Sequence, residues 1–245
     1  MERFMVFLQM MGYAVVAYFF ASIVHEMGHV VCGLICNWKF LAMCVGPFKF
    51  YRNSPEDKIR FGIEKNPAVW GGYGGTFPRK LDDDNIRTFA KILLAGPVAS
   101  LILGAVFIVI MIFTKSELAM MIGFVAIGEG VACILPMNIK TGILYNDGTR
   151  FKRIVKGGKE AMEEKAILSF IFKTFLYGED DSYDNELIDV LLDSEDESFR
   201  YYGLFYHYQN AKLENDEEAM DSIRKEMETL GTMVSSYVRQ SCAID

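Results

Sequence analysis

Residues 4–29 read FMVFLQMMGYAVVAYFFASIVHEMGH: 21 residues without a charge, Phe4 to Val24, running directly into His25-Glu26-Met27-Gly28-His29. At 1.5 Å per residue, the apolar run covers roughly the 30 Å hydrocarbon core of a bilayer. One such helix also suits the core of a soluble protein. Two further windows argue for a membrane: Ile92 to Phe113 is 22 residues without a charge, and Leu118 to Met137 is 20 with only Glu129. The three windows hold 51 apolar residues out of 63, about 81%, against about 41% in the other 182 residues. The sequence therefore predicts a mostly α, polytopic membrane protein with three core spans, about residues 4–36, 88–113 and 118–137.

Charge divides the 245 residues further. Residues 1–149 carry 13 basic and 11 acidic groups, residues 150–159 five basic and none acidic, and residues 160–245 seven basic and 21 acidic. A basic stretch after the last window reads as a collar at the membrane surface, and the acidic tail as soluble. Two domains follow: a membrane core over 1–150 and an acidic helical domain over 151–245. The net charge of −7 disfavours a nucleic-acid partner, which requires a basic face. The expected partners are the lipid bilayer, a membrane-spanning or membrane-associated peptide, and a protein partner of the helical tail.

Ten basic residues lie between Trp38 and Lys91, whereas only Lys115 lies in the link 114–117. The positive-inside rule then puts the 38–91 segment and the tail in the cytoplasm and the amino terminus outside; the expected location is the plasma membrane of a bacterial cell. The first window is longer than a usual signal-peptide core and lacks an A-x-A site, so it is read as a retained span. The five cysteines form no C-x-x-C pair, which excludes zinc-finger and thioredoxin readings.

His25 and His29 are spaced i, i+4, which places both imidazoles on one helical face where they can bind one metal ion. Glu26, offset by about 100° around the helix, stands beside that ion and is suited to move a proton from water to a leaving amine. Ionisable groups at the end of a membrane helix are costly without a partner, and a divalent cation is a natural one. A catalytic zinc site takes three protein ligands. The extended pattern with a third histidine fails, because Cys32 and Ile35 occupy its glycine and histidine positions. Two carboxylates are left as third-ligand candidates: Glu129 in the third window and Asp147 just after it.

Here the sequence resembles the site-2 protease family of intramembrane zinc metallopeptidases. The resemblance runs from about Ala21 to Phe151. It rests on His25-Glu26-Met27-Gly28-His29, Gly71-Gly72-Tyr73, Ala95-Gly96-Pro97, Leu135-Pro136 and Asp147-Gly148. It implies that His25, His29 and Asp147 hold one Zn2+ per chain, that Glu26 is the catalytic base, and that Gly71, Gly72, Tyr73 and Asn138 contact substrate. Glu129 is the alternative third ligand. The implied activity is zinc-dependent hydrolysis of a peptide bond, in or near the membrane, of a membrane-anchored protein or peptide precursor. The competing reading is a non-proteolytic membrane partner, of the immunity, chaperone or transporter-associated kind, that keeps the fold. Two departures stand out. Asp147 follows Pro136 by eleven residues, where many members have about five, and Lys140-Thr141-Gly142 is read as looping out the excess. Cys133 occupies the position three before the proline, often Asn in the family, and Asn138 follows the proline instead.

Between the first two spans, Lys49–Arg52 and Lys58–Ile63 alternate like strands around Asn53-Ser54-Pro55, predicting a β-hairpin at the membrane surface. The glycines around Tyr73 permit close backbone approach, as pairing with an extended substrate requires. In the tail, Tyr201–Leu213 and Glu217–Leu230 resemble a tetratricopeptide-like helical hairpin. Its aromatic residues read as core, and His207 as a surface or packing histidine.

Overall fold

The computed structural model describes residues 1–137, 140–141, 144–178 and 181–242. Two compact units emerge. One comprises 1–79, 87–138 and 146–151; the other comprises 80–86, 139–145 and 152–245.

Three helices of the first unit are long and apolar enough to cross a membrane: α1 (Glu2–Ile35), α2 (Asn85–Thr114) and α3 (Glu117–Ile134). Most of the apolar surface of α1 is left uncovered by protein: Phe4, Met5, Phe7, Val15 and Val16 are all at least half exposed. An apolar surface of that extent is what lipid covers. The residues α1 buries, among them Ala17, Ala21, Ser22, His25 and His29 on one stripe and Glu26 beside it, lie towards its carboxyl end. There α1 packs on α3. It also meets α2 so closely that a Cβ on Gly28 would stand 2.6 Å from the Ala95 carbonyl oxygen. Small residues allow such approach where no water drives helices together. The α2 helix continues through Pro97, and α3 opens on the Ser116 hydroxyl, which accepts from the Ala119 N–H.

Between α1 and α2 the chain builds a four-stranded antiparallel sheet, larger than the predicted hairpin. Strands β1 (Lys39–Val45), β2 (Phe48–Tyr51), β3 (Arg60–Ile63) and β4 (Tyr73–Phe77) lie in the order β3-β2-β1-β4. The predicted hairpin is β2–β3, in register Phe50 to Phe61. Strand β1 joins it to β4, and β1 and β4 both pack against α1.

A short antiparallel pair, β5 (Lys140–Thr141) and β6 (Leu144–Tyr145), occupies the excess length between Pro136 and Asp147. Helix α4 (Asp147–Lys156) follows.

The second unit contains α5 (Gly158–Tyr177), α6 (Asn185–Leu192), α7 (Glu197–Glu214), α8 (Glu217–Gly231) and α9 (Ser236–Ser241). Its core is aromatic: the rings of Phe170, Tyr183 and Tyr206 pack with centroids 4.4–5.4 Å apart. Phe199, Tyr201, Tyr202 and Tyr208 are buried with them, whereas His207 is exposed. Three of its acids cap helices: Asp184, Asp196 and Asp216 accept from the first-turn N–H groups of α6, α7 and α8.

Of the basic run at 150–159, Arg150 is buried and Arg153 half-buried, whereas Lys152, Lys156 and Lys159 are exposed. Arg150 is buried with its guanidinium 4.6 Å from the Phe89 ring centre. Arg153 bonds Glu163 at 2.6 Å and Glu164 at 2.9 Å. Lys156 pairs with Glu160, and Lys159 donates to the Asp193 carbonyl.

Candidate metal centre

The buried stripe of α1 supplies His25 and His29, their Nε2 atoms 3.3 Å apart. The His29 Nδ1 lies 2.7 Å from the Ile92 carbonyl oxygen of α2. A carbonyl only accepts, so Nδ1 carries the proton and Nε2 presents a lone pair. The His25 Nδ1 lies 2.9 Å from the Ser100 hydroxyl of α2.

Asp147 completes the cluster, its Oδ2 3.3 Å from His25 Nε2 and 3.4 Å from His29 Nε2. Burial disfavours its charge, but the two imidazoles facing it outweigh burial and hold the carboxyl well below the usual carboxylate range. The carboxylate and the His29 Nε2 are both acceptors aimed at one point, an arrangement that calls for a cation between them. Ligands at about 2.0–2.1 Å from zinc in a tetrahedron stand roughly 3.3–3.4 Å from one another. All three edges match, so the residues present fit the ion.

The sequence did not reveal how Asp147 is placed. Asn146, just before it, fans its amide onto the carbonyls of Ala132, Cys133 and Leu135 at 3.1, 3.3 and 2.7 Å, at the end of α3. Its oxygen accepts the Thr149 N–H as an N-cap, and the Thr149 hydroxyl accepts the Met137 N–H at 2.8 Å. Gly148 lies so close beneath α3 that a Cβ would stand 2.0 Å from the Ile134 carbonyl oxygen. The signal was present as Asn-x-x-Thr at a helix start, but not its target.

Glu26 is buried on the neighbouring face of α1. The start of β4 lies directly on it: a Cβ on Gly72 would stand 2.6 Å from Glu26 Oε1, and one on Gly74 would stand 2.9 Å from Oε2. Gly72 also has φ +112°, open chiefly to glycine. Of the predicted substrate-contacting residues, Gly72 therefore borders the site. The space around Gly71 is open. Tyr73 opens β4 between Gly72 and Gly74 and is exposed. Gly74, absent from the predicted set, belongs with Gly72. Asn138 lies outside the described residues.

Glu129 is not among the three converging atoms. Its carboxylate accepts from the Ser22 hydroxyl of α1 at 2.9 Å and the Ser100 hydroxyl of α2 at 3.4 Å. Cys133 lies nearby, its sulfur grouped with ligand atoms of His25 and Asp147 within 4.8 Å. Cys32 and Cys36 are half-buried free thiols.

No curated protein matches the chain, and no solved structure matches it. The model of Peptidase family M50, the site-2 protease family of metallopeptidases, matches residues 13–242. The chain belongs to Peptidase family M50.

Proposed function

We propose that the protein is a zinc-dependent endopeptidase that cuts a membrane-anchored protein or peptide precursor within or near the bilayer. The observation that carries this reading is the triangle of His25 Nε2, His29 Nε2 and Asp147 Oδ2, with edges of 3.3–3.4 Å and Glu26 beside it. These three residues would hold the zinc ion. When bound, zinc polarises the scissile carbonyl and makes water a stronger acid. Glu26 takes a proton from the attacking water onto a carboxylate oxygen and delivers it to the leaving nitrogen as the peptide bond breaks.

A helical substrate keeps its peptide groups in i to i−4 hydrogen bonds, so it must be extended before it is cut. Strand β4 offers the template. It ends the sheet order, no strand among the described residues pairs with its outer edge, and its first residues lie on Glu26. An unwound substrate adding to that edge brings its backbone to the base. We place the amino terminus outside and the acidic helical unit in the cytoplasm, on the distribution of Lys and Arg.

The test is reconstitution in liposomes with Glu26→Gln alongside the parent. The mutant should keep one zinc per chain, lose turnover and retain bound peptides that mass spectrometry identifies. A Glu26→Gln protein that supports the biological function as well as the parent points instead to the non-proteolytic partner.

A further inference from the structure

Each apolar window has one conspicuous polar residue: Ser22 is the only serine or threonine in the first, Ser100 the only one in the second, and Glu129 the only charge in the third. The fold brings the three together. Glu129 accepts from Ser22 through one oxygen, at 2.9 Å, and from Ser100 through the other, at 3.4 Å. Ser22 and Ser100 are 1% and 0% exposed, and the Glu129 carboxylate that joins them is half-buried. Ser100 in turn lies 2.9 Å from His25 Nδ1.

The direction of the chain of bonds follows from donor chemistry. A serine hydroxyl has one proton, and that of Ser100 is directed to the Glu129 carboxylate. Its oxygen is then left to accept, and the only donor His25 can offer it is Nδ1–H. The neutral imidazole carries its single proton there, leaving Nε2 as a lone pair facing His29 and Asp147. Reversing Ser100 would place its proton on Nδ1, put the imidazole proton on Nε2 and close the metal face.

We infer that Glu129, acting through Ser100, is a positioning residue that fixes the tautomer and orientation of His25 for metal binding. This gives the charge in the third span a role other than that of third ligand. It parallels the Ile92 carbonyl behind His29, so each metal-facing imidazole is held from its far side. The inference rests on the proposed zinc site.

The test measures zinc affinity of the full chain in detergent micelles, by competition with a chromophoric chelator, and the electronic spectrum of the Co2+-substituted protein. The variants are Ser100→Ala, Glu129→Met and the double. Losing a support behind a ligating histidine costs about 10–100-fold in metal affinity, and each single variant should show that loss with an altered Co2+ spectrum. The double should be no more than about twofold worse than the weaker single, because both cut one chain of bonds. Glu129→Gln, which keeps an oxygen for the Ser100 hydroxyl, should recover most of the affinity. A helix-packing role would lower the metal-free melting temperature without changing the Co2+ spectrum. Parent-like affinity and spectrum in Ser100→Ala overturn the inference alone, as do losses that multiply in the double. A parent chain that takes up no zinc overturns both the inference and the reading beneath it.

Discussion

Gly74 and Glu26 are in backbone contact: a Cβ on Gly74 would stand 2.6 Å from the Glu26 carbonyl oxygen and 2.9 Å from its Oε2. The strand proposed to receive substrate and the residue proposed as base therefore hold each other in place. Gly74→Ala must push one of them aside, an overpacking strain of about 1–3 kcal/mol. Turnover should fall by at least about tenfold, since roughly 1.4 kcal/mol in the barrier is a factor of ten. Zinc content, measured by atomic emission, should stay at one per chain, because neither residue is a ligand.

Asp147→Asn should empty the metal site, and Glu129→Gln should not. The first removes the only carboxylate among the described residues whose oxygen lies 3.3–3.4 Å from both imidazoles. The second changes a group that reaches only serines. With zinc in excess, metal analysis should find under about a tenth of the parent's content in Asp147→Asn and full content in Glu129→Gln. Retained zinc in the former with loss in the latter would make Glu129 the ligand.

Gly148→Ala leaves every proposed ligand in the sequence but should lift Asp147 away from α3, because the new methyl would stand 2.0 Å from the Ile134 carbonyl oxygen. Zinc affinity should fall by at least about tenfold. Isothermal titration against the parent is the check, with exposed His207→Ala as the control that should bind as the parent does.

The second unit should lose stability at alkaline pH through Tyr145. Burial, with the hydrogen bond its hydroxyl donates to Asp196 at 2.6 Å and the charge of that carboxylate, raises its pKa above the ordinary phenol range. The fold favours the protonated phenol. Its stabilisation is complete below the unfolded value near 10 and is lost as pH rises from there through the higher folded value. In urea melts followed by tyrosine near-ultraviolet circular dichroism, the parent's midpoint should fall more steeply above about pH 10 than that of Tyr145→Phe. Equal slopes would discard Tyr145 as the cause.

The parts of this fold that repeat along the chain were legible. Three apolar windows, two without a charge and the third with only Glu129, gave three helices, and the i, i+4 spacing of His25 and His29 placed both on the buried stripe of α1. Strand β2 and strand β3 alternate and were read as a hairpin. Strand β4 was not, because Tyr73-Gly74-Gly75-Thr76-Phe77 lacks the alternation that marks a strand; it is defined by pairing with β1 and by contact with Glu26. The Ser22–Ser100–Glu129 group was equally hidden, since its members lie on three helices whose rotation is set by packing. The charge count of the tail did not show that three of its acids sit at helix starts for the N–H groups they bind. Arg150 and Arg153 show the same limit: a run of like charge says nothing of Phe89, Glu163 or Glu164 elsewhere in the chain.

His25 and Asp147 are 122 residues apart, with the helices α2 and α3 and two antiparallel sheets between them in sequence. During synthesis, the paired histidines therefore emerge long before the carboxylate that joins them. A ribosome-bound chain halted within α3 has two imidazoles and a nearby base, and no third ligand. With zinc held as proposed, peptidase activity begins only once that last stretch has emerged, so a nascent copy cannot cut its neighbours. The ion then closes a loop of 122 residues, making metal capture a late event of assembly.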